Sequence, residues 1–114
     1  MQRGEVRMVE LDPTRGAEAK RRPAVIVSND AANRAAARLG RGVLTVVPVT
    51  SSVERVYPFQ VLLPAGAGGL PQDSKAQGEQ VRSVDAERIG EQLGRLSGQL
   101  MASIDDALRL HLSL

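Results

Sequence analysis

No cysteine occurs among the 114 residues, which excludes disulfides, a thiol nucleophile and any Cys-ligated zinc. Histidine is nearly as scarce. His111 stands alone, so no imidazole cluster can hold a metal within one chain, and no Ser–His–Asp constellation can be argued from it. Tryptophan is absent, and Tyr57 and Phe59 are the only aromatic residues of their kinds, leaving the core to Val, Leu and Ile. No apolar run approaches the ~20 residues that cross a bilayer. Glu5 and Arg7 interrupt any apolar leader, so no signal segment and a cytoplasmic location are expected. The Gly/Pro-rich stretch 64–72 has no Lys-Ser/Thr pair after it, which excludes a phosphate-cradling P-loop.

What is present fits one small domain spanning residues 1–114. The net charge of +2 is unevenly placed: residues 1–55 carry ten Lys/Arg against six Asp/Glu, and residues 56–114 carry five against seven. A basic N-terminal half points to an anionic partner.

The segment Arg22-Pro23-Ala24-Val25-Ile26-Val27-Ser28-Asn29-Asp30 is the pivot of the chain. Its β-branched run predicts a buried strand over 23–28. Pro23 belongs at the strand's first residue or on an edge and biases Arg22 towards an extended backbone. Further strands are predicted over 5–11, 43–50 and 59–63, then a strand with polar interruptions over 74–81 and a short turn or strand over 89–96. Pro48 argues for an edge or a bulge near the end of its strand. Residues 14–22 contain no large apolar side chain and read as an exposed, mobile loop. Asn29 or Asp30 caps an Ala-rich helix over 31–39 that Gly40 ends. Ser97 caps a C-terminal helix from 98 to about 112, with Leu100, Ile104, Leu108 and His111 on one stripe. On that stripe His111 reads as a packed or interface histidine. Short aliphatic strands with Gly/Pro punctuation predict a small, mainly β barrel with these two helices, rather than a βαβ fold.

Paired carboxylates do not converge: Asp105 and Asp106 are adjacent on a helix and point to different sides. The remaining candidates for chemistry are Arg22, Thr50 with Ser51 and Ser52, and Glu18. If the strands that Arg22 begins and Thr50 ends are antiparallel neighbours, the two side chains meet at one rim. A planar guanidinium fork beside hydroxyls suits a phosphate group.

These residues carry a resemblance. Arg3-Gly4-Glu5-Val6, Leu11-Asp12-Pro13-Thr14-Arg15-Gly16, Glu18, the segment from Arg22 to Asp30, Val47-Pro48-Val49-Thr50, and Asp73-Ser74 leading to Glu79-Gln80-Val81-Arg82-Ser83-Val84-Asp85 run in an order that resembles the MazF/PemK toxin endoribonucleases of toxin–antitoxin modules. The resemblance implies an SH3-like, plasmid-maintenance-toxin barrel that forms a homodimer. It implies cleavage of single-stranded RNA at specific sequences without a metal or other cofactor, leaving a 2′,3′-cyclic phosphate and a 5′-hydroxyl. It also implies an antitoxin whose acidic C-terminal segment occupies the RNA groove, and no membrane partner.

By the same resemblance Arg22 is the catalytic arginine, Thr50 the catalytic hydroxyl and Glu18 the loop glutamate, while Glu79 and Gln80 lie near the bases. Arg15, Lys20, Arg21, Ser51, Ser52 and Arg82 complete the candidate RNA contacts; Arg82 either meets phosphate or pairs with Asp85. Gly16-Ala17-Glu18 departs from the family's Gly-Ser-Glu and lacks one hydroxyl. Either Arg22 or Glu18 takes the 2′ proton, and residue chemistry leaves that choice open. Two rival readings are a gyrase-poisoning toxin on the same barrel and an RNA-binding barrel that does not cut.

Overall fold

The computed structural model describes residues 1–11 and 21–114. The expected turn at 12–16, the loop reading of 14–22, Arg15, Ala17, Glu18 and Lys20 therefore lie outside the described residues, in whole or in part. Seven strands form one sheet: β1 Glu5–Glu10, β2 Arg21–Ile26, β3 Val43–Thr50, β4 Gln60–Leu63, β5 Ser74–Gln77, β6 Arg82–Asp85 and β7 Ile89–Arg95. Two α-helices, α1 Asp30–Leu39 and α2 Gly98–Leu112, complete it. The strand order is β4-β5-β3-β2-β1-β7, with β6 also on β3, and every pairing is antiparallel. β4 and β7 are terminal, so the small barrel is an open one.

Both faces of the central strands are dry. Val25, Val47 and Val49 join Met101 and Ile104 of α2 in one apolar cluster. Ala24, Ile26, Leu44 and Val46 alternate to the other face and join Ala36 of α1 and Val84 of β6. Burial on both faces is why β2 and β3 read as continuous apolar runs, whereas β1 alternates.

Pro48 lies in the middle of the sheet, opposite Ala24. The Val27 N–H donates to the Thr45 carbonyl (2.9 Å), which sets the ladder's phase and turns the Pro48 nitrogen away from β2. On that outer side β6 pairs as far as Val46, and β5 begins at Val49. The missing donor therefore falls where one neighbour gives way to the next, and a central strand tolerates it.

Asn29 is the cap of α1, its Oδ1 accepting from the Ala32 N–H (2.8 Å), and Gly40 closes the helix at φ 66°. Ser97 caps α2 as predicted, accepting from the Leu100 N–H at 3.2 Å. The buried face of α2 is Met101, Ile104 and Ala107, with Leu100 and Leu108 half-buried beside it and His111 exposed. The predicted stripe is thus rotated, and His111 is not packed inside. Residues 74–81 are not one strand either. β5 stops at Gln77, and a single 3-10 turn, Gly78–Gln80, leads to β6. The backbone passes so close there that a Cβ at Gly78 would lie 2.5 Å from the Phe59 carbonyl oxygen.

Candidate active site

β2 and β3 pair as Ala24↔Pro48, Val25↔Val47 and Ile26↔Val46. Continuing that register sets Pro23 opposite Val49 and Arg22 opposite Thr50. In the ladder's phase Arg22 and Thr50 form a non-hydrogen-bonded pair, the kind whose side chains stand closest. The condition set by the sequence is therefore met: the two strands are antiparallel neighbours, and the guanidinium and hydroxyl share one rim.

The next pair explains how Arg22 is held. Pro23 has no N–H to give the Val49 carbonyl, and Arg22 Nη2 donates to that oxygen instead (3.1 Å). The same Nη2 donates to Gln77 Oε1 of β5 at 2.9 Å. Among the described residues the other guanidinium N–H groups meet no acceptor. Arg22 and Thr50, both half-buried, line a cleft of about 250 Å3 with Pro23, Val49, Ser51, Leu70, Pro71, Gln72 and Ser74. Thr50 Oγ1 accepts from the Ser52 N–H (3.3 Å), which leaves its own proton free to donate.

Burial lowers the Arg22 pKa from its ordinary value, and the positive charge of Arg82 adds to the effect. Both act by disfavouring the charged form. Arg82 does not pair with Asp85, which accepts instead from Arg88 (3.4 Å). Arg82 donates to the Leu11 carbonyl (3.2 Å) and to Gln80 Oε1 (3.3 Å), tying β6 to the residue where the described part of the N-terminal segment ends.

The remaining predicted residues divide. Ser51 lines the cleft and Ser52 lies exposed beside it. Glu79 and Gln80 sit in the turn after β5. Glu79 Oε2 accepts from Gln60 Nε2 at 2.8 Å, while Glu79 Oε1 is, among the described residues, the one buried side-chain oxygen with no hydrogen-bond partner. Such an oxygen is a ready acceptor for an incoming N–H. Arg21 alternates to the face of β2 opposite Arg22 and is ion-paired with Glu91 of β7, so the structure does not bring it into the cleft. Gln77 and Gln60 were not singled out from sequence. They are register partners on β5 and β4, and for Gln60 its place at the head of the apolar run Val61-Leu62-Leu63 was the available signal.

A family described as PemK-like, MazF-like toxin of type II toxin–antitoxin systems matches residues 2–112. Endoribonuclease MazF9 of Mycobacterium tuberculosis is 59% identical over 115 residues, covering 100% of this chain and 98% of its own. A crystal structure of MazF from Deinococcus radiodurans superimposes with a TM-score of 0.79 at 29% identity, over 100% of this chain and 97% of that one. A MazE–MazF structure from the same organism gives 0.77 at 27% identity, over 100% and 96%.

Proposed function

Because this chain belongs to the PemK-like, MazF-like toxins of type II toxin–antitoxin systems, we propose that it is an endoribonuclease that cuts single-stranded RNA at Arg22 and Thr50. The observation that supports the reading is that Arg22 and Thr50, at the ends of paired antiparallel strands, line one cleft. In the reaction the substrate's 2′-oxygen attacks the adjacent phosphorus. The bond from phosphorus to the 5′-oxygen breaks, leaving a 2′,3′-cyclic phosphate and a 5′-hydroxyl. Negative charge builds on the non-bridging oxygens, where the Arg22 N–H groups that meet no acceptor among the described residues, and the Thr50 hydroxyl, act as preorganised donors. No metal takes part in this scheme. The 2′-hydroxyl is the nucleophile, so DNA is not cut.

Two protons move. One leaves the 2′-hydroxyl, and one reaches the departing 5′-oxygen. A guanidinium whose pKa is lowered by burial and by Arg82 gives up a proton more readily than an exposed one, which favours Arg22 as the donor to the 5′-oxygen. The group that takes the 2′ proton is Glu18, with guanidinium Arg22 as the donor, or else Arg22 entering the step as the neutral guanidine and passing the proton it takes to the 5′-oxygen; Glu18→Gln separates the two. Glu79 Oε1 and Gln80 supply acceptors and donors for base edges. Arg15, Lys20, Ser51, Ser52 and Arg82 are assigned to the RNA backbone, and Arg21 attracts it from a distance. An antitoxin with an acidic C-terminal segment binds the same groove of a cytoplasmic homodimer. Solved MazE–MazF complexes of a relative support the antitoxin.

The test is cleavage of a long single-stranded RNA in EDTA by wild type, Arg22→Ala and Thr50→Ala. Wild type is expected to give discrete products ending in cyclic phosphate. Each variant should fall about 10²–10³-fold, the cost of one such donor. Intact RNA with folded wild type, or equal cutting by all three proteins, overturns the assignment.

A further inference from the structure

The chain has one tyrosine, one phenylalanine and one histidine, and all three rings meet at one place. Tyr57 and Phe59 stack with centroids 5.4 Å apart and planes 5° from parallel. Phe59 in turn meets the His111 ring of α2 at 6.4 Å and 49°. The guanidinium of Arg55 lies over the Tyr57 ring, 5.8 Å from its centroid, and its Nη1 donates to the Tyr57 hydroxyl (3.2 Å). An aliphatic interior with so few rings would gain by enclosing them. Tyr57 is instead 41% exposed.

The stack is built rigidly. The Tyr57 N–H donates to Gln60 Oε1 (3.1 Å), and the Tyr57 carbonyl accepts from the Gln60 N–H (2.8 Å). Beside it, the ammonium of Lys75, a residue only 8% exposed, donates to the Arg55 carbonyl at 2.6 Å. The segment that carries the rings is thus pinned on both sides by buried polar residues, and its outer ring is held in place before any ligand arrives.

The stack is linked to Arg22 through two glutamines. Arg22 holds Gln77; Gln77 faces Gln60 on the next strand, about 4.8 Å away across the ladder; and Gln60 holds Tyr57. That places the ring on the order of 10–15 Å from the Arg22 guanidinium, within the few nucleotides that a small single-strand-binding barrel covers.

We propose that Tyr57, backed by Phe59 and flanked by Arg55, is a stacking site for a nucleobase of the RNA strand beside the cleaved bond. The proposal rests on the reading of the cleft as an RNA-cutting site. An unstacked base stacks on the Tyr57 face away from Phe59, displacing the Arg55 guanidinium or sliding beneath it, and such a platform accepts any base because every base has a π-face. Gln60 ties this subsite to Glu79, so one residue orients both the stacking ring and the Glu79 carboxylate.

Because the chain has no tryptophan and a single tyrosine, intrinsic emission reports on Tyr57 alone. The experiment titrates the full-length protein with a cleavable RNA oligonucleotide made inert by a deoxynucleotide at the cut position. A companion series replaces each flanking nucleotide in turn by an abasic one. Cleavage of the all-ribose strand is followed in parallel. Tyr57 emission is expected to be quenched on binding, with one abasic position abolishing the quench. Tyr57→Ala should weaken binding roughly 5- to 150-fold, the worth of one stacked base, and Tyr57→Phe should restore most of it. At the critical abasic position, Tyr57→Ala should have no further effect.

Arg22-dependent cleavage with unquenched Tyr57 and full affinity in Tyr57→Ala overturns the stacking site and leaves the nuclease standing. Quenching and position-specific loss without cleavage support the site and overturn the nuclease. No binding of RNA by folded protein overturns both. Emission that changes on dilution but not with RNA overturns the proposal and assigns the rings to a contact between copies of the chain.

Discussion

Pro23 and Val49 face each other across β2 and β3, and the carbonyl that the proline cannot satisfy is the one that holds the Arg22 guanidinium, at 3.1 Å. The gap in the ladder and the anchoring of the arginine are one feature. A backbone acceptor at fixed depth sets the position of the guanidinium more firmly than a flexible side chain could.

Pro23→Ala returns an N–H that competes for that oxygen. The new ladder bond offsets the lost ring constraint, so the melting temperature is expected to stay within a few degrees. Arg22 loses one anchor, worth roughly 0.5–1.5 kcal/mol. Single-turnover RNA cleavage should slow roughly 2- to 12-fold. An unchanged rate would show that the proline has no part in holding Arg22.

Conservative exchanges at the reactive pair separate charge from geometry. Arg22→Lys keeps the charge but loses the planar fork, and it should lose about 10²-fold or more in cleavage rate. Thr50→Ser keeps the hydroxyl and most of the activity, while Thr50→Val does not. Circular dichroism should be unaltered in all three. A lysine variant with near-normal activity would reduce the role of Arg22 to simple charge.

Gln77→Glu tests whether Arg22 moves a proton. Burial, and after it the charge of Arg82, lowers the Arg22 pKa. A carboxylate in place of an amide that now lies 2.9 Å from Nη2 favours the charged form and raises that pKa. The limb of the pH–rate profile set by Arg22 should therefore move to higher pH, with a slower reaction near neutrality. A slower reaction whose profile keeps its position would mean that Arg22 stabilises charge without transferring a proton.

Periodicity in the sequence was enough for the strands that carry this pair. β2 and β3 are β-branched runs buried on both faces, and the placement of Arg22 and Thr50 at their ends follows from where those runs begin and stop. The partners of Arg22 were not legible. Gln77 reaches it across a third strand, and the link depends on which strands are neighbours, a property no local pattern encodes. Gly78 marked a break that propensity alone passed over, because the reason for it, the Phe59 carbonyl, is distant in sequence. The stripe on α2 was read off-centre for a related reason. Leu100, Ile104 and Leu108 do pack against the core, but Met101 and Ala107 go deeper, and the sheet beneath the helix, absent from a helical wheel, sets which side is deepest.

Away from the cleft, Asp30 should make the fold sensitive to acid. Its carboxyl is held below its ordinary value of 3.8 mainly by the Arg3 N–H, which donates to it at 2.7 Å. A depressed carboxylate contributes stability that is fully present above the unfolded-state pKa and is lost as pH falls through the lower folded value. Asp30→Asn should unfold at lower urea than wild type at pH 7, and the two should converge as the pH drops below 3.8. A gap that persists undiminished in acid would assign the loss to packing and not to charge.

The two dry faces of β2 and β3 have a further consequence. With both sides committed to the interior, these central strands can offer side chains to a ligand only at their ends. Arg22 and Thr50 occupy strand ends, where the interior fixes them. Tyr57, Ser51, Ser52 and the turn bearing Glu79 occupy connectors, where Tyr57 and Glu79 are held by a few polar contacts and not by the two-sided packing of the central strands. On the proposed reading, the reaction belongs to the ends of buried strands and the sequence preference to the connectors. Exchanging connectors between relatives should therefore change the recognition sequence and leave the dependence on Arg22 and Thr50 in place.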